Sequence, residues 1–144
     1  MQNTENTIKF SPNFTLEELI KTSQSVYTAQ NIAYGAKYMP ELKLLANYIL
    51  EPTRAVLKTP LIITSGLRCA GLNAALGGAK NSQHLYGQAA DFVPLGIDIR
   101  QAFAIIKNSG LISYGQLILE DGWLHISLGV PYRPLQNCLQ AFEK

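Results

Sequence analysis

The stretch SQHLYGQAAD, residues 82 to 91, carries His84, one of only two histidines in the chain, and ends on Asp91. Asp91 sits inside a run of small and apolar residues, AADFV, that reads as the core of a strand. A carboxylate beside a strand core is costly unless it is paired or holds a metal. The other histidine, His125, lies in WLHISL, where Leu124, Ile126 and Leu128 alternate with Trp123, His125 and Ser127. Successive strand side chains point to opposite faces. If the apolar faces pack on helices, Asp91 and His125 both project from the other side. His84 stands just before Gly87, where the chain can turn onto the strand. Two imidazoles and a carboxylate are a usual ligand set for a catalytic zinc, which leaves the fourth position to water. The competing reading is that each histidine is a hydrogen-bonded packing residue and Asp91 caps a turn.

The elements that must position these residues are legible in outline. FTLEELI offers Thr15 as N-cap and Glu18 as its capping-box partner. PELKLLANYILEPTRAVL places Pro40 in a first helical turn and repeats Leu42, Leu45, Ile49 and Val56 at helical spacing, with Pro52 expected to kink or divide the helix. TPLIITSG reads as a buried strand ending at Gly66. RCAGLNAALGG reads as a short helix closed by Gly77 and Gly78. GQAADFVP is a strand ended by Pro94. DIRQAFAIIKNSG is a helix capped by Asp98, with Gln101 at its third position and Gly110 as its stop. QLILE and WLHISL are strands joined by the Asp121-Gly122 turn. Helices mostly first and strands mostly later favour an α+β fold, a small, largely antiparallel sheet with helices on one face.

The chain has 144 residues, 47% of them hydrophobic and 15% charged, which suits one compact domain over 1–144 with residues 1–10 as a loosely ordered arm. A net charge of +2, with no Lys/Arg run, gives no basis for a nucleic-acid partner. No apolar run is long enough to span a bilayer. Cys69 and Cys138 form no C-x-x-C pair and are expected to be reduced thiols. A monomer is expected.

Ser82, His84, Gly87, Ala89 and Asp91 match the pattern S-x-H-x-x-G-x-A-x-D, and Trp123-x-His125 follows downstream. With FTLEELI, ITSGLR, Leu72-Asn73 and QLILE…WLHIS, these residues resemble the zinc D-Ala-D-Ala carboxypeptidases, which share their fold with Hedgehog. The likeness runs from about residue 13 to 128 and is greatest to the small single-domain branch of phages and prophages. It implies Zn2+ held by His84, Asp91 and His125, and a peptidase acting on peptidoglycan stem peptides or cross-bridges. It also implies a general base shortly before the last histidine. Many relatives carry that base three residues before it, where this chain has Gly122. Glu120 is the favoured base here and Asp121 its rival. Arg68 is retained within SGLR, although Leu67 and Cys69 stand where the family has an aromatic and a serine. Its planar fork suits a carboxylate or a developing oxyanion. Ser82, Gln83 and Trp123 are expected to line the substrate cleft.

The alternative is an inactive zinc-containing peptidoglycan-binding module or a phage structural component. The presence of an acidic residue at 120 or 121 favours the enzyme. The start MQNTENTIKF has no basic segment followed by an apolar stretch. Synthesis in the bacterial cytoplasm is therefore expected, with action at the wall after phage-type release.

Overall fold

A computed structural model describes residues 8–129 and 140–143 of the chain. Cys138 and residues 1–7 lie outside the described residues. The chain opens with a two-stranded antiparallel ribbon, β1 (Lys9–Ser11) and β2 (Phe14–Thr15). This corrects the expected arm at its end: Phe10 and Phe14 are buried in the main core. The ribbon is clamped to the rest of the fold by Glu51. Its carboxylate accepts from Ser11 Oγ at 2.6 Å, Asn13 N at 2.7 Å and Asn13 Nδ2 at 2.8 Å.

Helix α1 (Leu16–Ile20) starts at the expected capping box, with Thr15 N donating to Glu18 Oε1 and Glu18 N donating to Thr15 Oγ1. Then come α2 (Thr28–Gly35) and α3 (Met39–Leu45), the latter with Pro40 in its first turn. Next is a π-helical turn, Ala46–Leu50, that runs straight into α4 (Glu51–Leu57). The expected effect of Pro52 is thus realised as a wider turn. The helical path continues, and the widening lies just ahead of the proline, where the ladder must accommodate a ring that has no N–H.

The main sheet contains β3 (Leu61–Ser65), β4 (Ala89–Pro94), β5 (Tyr114–Leu119), β6 (Leu124–Leu128) and β7 (Gln140–Glu143), in the order β3-β4-β6-β5-β7. Neighbours are antiparallel except the β5–β7 edge pair, which is parallel. Helix α5 (Ala70–Ala75) lies between β3 and β4 in sequence, and α6 (Ile99–Ser109) between β4 and β5. The architecture is α+β, as expected.

Register is what serves the site. Ala90 pairs with Ile126 and Phe92 with Leu124, and all four side chains enter the core with Leu42, Leu45, Ile49 and Ile106. The α3–α4 rod and α6 supply that layer. Asp91 pairs directly with His125 one step along the same ladder, so both side chains leave the opposite face. Among the described residues, no helix is long and apolar enough to cross a membrane.

Candidate metal centre and its cleft

The loop after β3 begins at Gly66. A Cβ at this position would stand 2.3 Å from the Leu19 carbonyl oxygen, so the chain can pass α1 only as glycine. Leu67 and Cys69 are then fastened by buried Asn31, whose Nδ2 donates to Leu67 O at 2.9 Å and whose Oδ1 accepts from Cys69 N at 2.7 Å. Arg68 lies between them. Its backbone N donates to His84 O at 2.9 Å, which ties this loop to the 3₁₀ turn Gln83–Tyr86. Ser82 Oγ caps that turn by accepting from His84 N at 3.2 Å. Gly87, at φ +68°, ends it in the left-handed region and sends the chain into β4.

The three residues singled out from sequence meet. One ligand atom from each of His84, Asp91 and His125 lies within 4.8 Å of the other two, and all three residues are buried. His84 Nε2 is 3.2 Å and His125 Nδ1 3.0 Å from the same oxygen, Asp91 Oδ1. His84 Nδ1 faces the Gly66 carbonyl at 2.7 Å and must donate to it, because that oxygen can only accept. The neutral ring therefore presents a lone pair at Nε2, aimed at a carboxylate oxygen that offers only lone pairs of its own. Two acceptors face each other at hydrogen-bond distance, an arrangement that a cation between them makes favourable. Ligands at ~2.0–2.1 Å around a tetrahedral zinc stand ~3.3–3.4 Å apart. The two separations from Asp91 Oδ1, 3.2 and 3.0 Å, are slightly shorter than that spacing and the third lies within 4.8 Å, so these residues are close enough to share such an ion. His125 Nε2 is buried with no partner among the described residues.

The electrostatics agree. Burial pushes His84 down, toward the neutral form that binds metals. Burial alone would raise the Asp91 carboxyl, but the His125 imidazole, hydrogen-bonded to it through Nδ1, and the His84 ring when protonated hold it well below the usual carboxylate range. Arg68 Nη2 pairs with the other oxygen, Asp91 Oδ2, at 3.2 Å. Its Nε donates to Ser65 Oγ at 3.0 Å and its Nη1 to Asn73 Oδ1 at 3.1 Å. Burial lowers the Arg68 pKa, opposed by the negative charges of Asp91 and Glu120.

The triad lies in a cleft of about 460 Å³ whose walls include Arg68, Ser82, Gln83, Glu120 and Trp123. A neighbouring depression is lined by Asp121 with Asp98, Arg100 and Glu120, so Glu120 borders both hollows and Asp121 only this one. Glu120 closes the β5–β6 hairpin through its backbone N, which donates to Trp123 O at 2.9 Å. Gln83 is partly committed elsewhere, its Nε2 donating to Leu128 O at 3.0 Å.

A family model described as Peptidase M15 matches residues 12–127. The chain belongs to the peptidase M15 family. No curated protein matches it. The M15 family is zinc-dependent, and the His84–Asp91–His125 group is one that could hold such an ion. Three groups around the cleft carry no signal in strand alternation: the Gly66 carbonyl, buried Asn31, and Gln116, which lines the cleft. Each contributes through backbone contacts or through partners far away in the chain. Gln116 alone left a trace, as the polar residue that opens QLILE.

Proposed function

We propose that this chain is a zinc-dependent peptidase that hydrolyses peptide bonds in bacterial peptidoglycan, in stem peptides or cross-bridges. The observation that carries the reading is the convergence of His84 Nε2, Asp91 Oδ1 and His125 Nδ1 in a cleft that also holds Glu120 and Arg68. These three atoms would hold the zinc. Zinc supplies Lewis acidity, polarising a scissile carbonyl and lowering the pKa of an attacking water toward ~7.

The remaining work falls to the chain's own side chains. The Glu120 carboxylate accepts the water's proton and returns it to the leaving nitrogen. Glu120 lines the cleft of the triad and Asp121 does not, which supports Glu120 as the base. Among the described residues, Arg68 uses three of its five N–H donors on Ser65, Asn73 and Asp91. The other two are left for a substrate carboxylate or a developing oxyanion. Ser82, Gln83 and Trp123 border the bound peptide. The proposed place of action is the cell wall, reached from the cytoplasm by phage-type release.

The test couples metal analysis to mass spectrometry of digested walls. The expected result is one zinc per chain and new free amino groups, lost in His84→Ala and His125→Ala, with no new reducing sugar ends. Reducing ends without amines would replace the peptidase by a glycosidase. Zinc bound, with neither product from walls of several chemotypes, would replace it by a binding module.

A further inference from the structure

Asn73 is buried on α5, where an asparagine is costly unless its amide is satisfied. Its side chain is satisfied at both ends. Nδ2 donates to the Ala79 carbonyl at 2.9 Å, and Oδ1 accepts from Arg68 Nη1 at 3.1 Å. The first bond settles which way the amide points, and the second delivers its oxygen to the guanidinium. The backbone reinforces this: Gly78 N donates to Asn73 O at 2.8 Å. A Cβ at Gly78 would lie 2.0 Å from Asn73 Oδ1 and 2.9 Å from Arg68 Nη1. The chain at 78 thus passes close beside both partners, where only a glycine fits.

Arg68 is a long side chain whose fork has three anchors. Ser65 holds Nε, Asn73 holds Nη1, and Nη2 meets Asp91 Oδ2. The last contact leaves Asp91 Oδ1 to the two histidines. A carboxylate free to rotate would offer either oxygen or both.

We propose that Asn73 is a positioning residue for the metal centre, acting through Arg68 to hold Asp91 with one oxygen turned toward His84 and His125. The proposal rests on the reading of that triad as a metal site. Asparagine suits the task because it carries a donor and an acceptor on one short stem. Aspartate lacks the donor for Ala79, and leucine lacks both groups.

The experiment measures zinc affinity of the full chain by competition with a chromogenic chelator, with thermal unfolding in chelator alongside. Asn73→Ala and Arg68→Ala are each expected to weaken zinc ~10–100-fold, the usual range for partners behind the ligands. The double variant should lose little more than either single one, because both remove the same contact to Asp91. The cycle is repeated with Gly78→Ala in place of Asn73→Ala, which displaces the amide without deleting it. Additive losses in both cycles, or unchanged affinity in Asn73→Ala, would overturn the proposal. The control is His84→Ala. If it binds zinc as tightly as the unaltered chain, the metal reading itself has failed. If that control loses zinc while the cycles are additive, only the role of Asn73 falls.

Discussion

Replacing Asp91 by asparagine separates the metal site from the fold that carries it. In the metal-free protein the Asp91 carboxylate faces His84 Nε2 at 3.2 Å, His125 Nδ1 at 3.0 Å and Arg68 Nη2 at 3.2 Å. An amide of the same shape meets these groups differently. Its nitrogen, placed where Oδ1 now stands, can donate to both imidazoles, and its oxygen can accept from Arg68. Two new neutral hydrogen bonds contribute ~1–3 kcal/mol together. Against this stands the lost charge opposite Arg68, worth ~1.5–3 kcal/mol for a charge-assisted bond. The two terms nearly cancel, so metal-free stability should change by less than ~2 kcal/mol. At ~2–4 °C per kcal/mol for a domain of this size, Tm should move by less than ~8 °C. Zinc behaves oppositely. At 100 times its Kd it should stabilise the unaltered chain by ~2.7 kcal/mol, or ~5–11 °C, and Asp91→Asn should show almost none of that rise. Thermal unfolding of both proteins in chelator and across a zinc titration reads both quantities. A zinc-dependent rise that survives in Asp91→Asn refutes the ligand assignment. A metal-free Asp91→Asn that does not fold refutes the argument that an amide suits the empty triad.

Glu120→Gln should keep zinc affinity within a few-fold, because Glu120 is not one of the converging ligands, yet lose ~10²–10⁴-fold in turnover. Asp121→Asn should remain active in the same wall-digestion assay; a dead Asp121→Asn beside a fully active Glu120→Gln would reverse the assignment. Metal-free stability should fall on acidification. Burial depresses folded His84, so below the unfolded histidine value of ~6.5 the unfolded chain takes up the extra proton and gains on the folded one. Asp91, depressed in the folded state, adds a second loss as pH falls below the unfolded aspartate value of ~3.9. Denaturant titrations in chelator from pH 8 downward should show ΔG falling in that order, and a ΔG that rises between pH 7 and pH 5 would contradict the burial of a neutral His84.

Much of this arrangement was legible in the residues themselves. The caps at Thr15 and Asp98 and the stops at Gly87 and Gly110 are short-range devices, and each stands where the local sequence put it. Alternation in WLHISL and AADFV was enough to set Asp91 and His125 on the face away from the core, because a strand's side-chain period does not depend on what the strand packs against. The pattern around His84 was sufficient to indicate the family.

Tertiary structure decided what depends on distance along the chain. Alternation says which face Asp91 occupies, but only the β4–β6 register brings it opposite His125. The proton on His84 Nδ1 is set by the Gly66 carbonyl, 18 residues away, and no local pattern reports that bond. By residue type Arg68 suits a substrate carboxylate or a developing oxyanion. In the fold it is spent largely on Ser65, Asn73 and Asp91, because burial obliges its donors to find partners. Glu120 and Asp121 are adjacent and chemically alike. Only the path of the hairpin brings Glu120 into the wall of the triad's cleft and leaves Asp121 out of it, although both border the neighbouring depression beside Arg100. Phe10 looked like part of a loose arm because its polar neighbours hide it. It becomes core once Glu51 holds the ribbon down through Ser11 and Asn13.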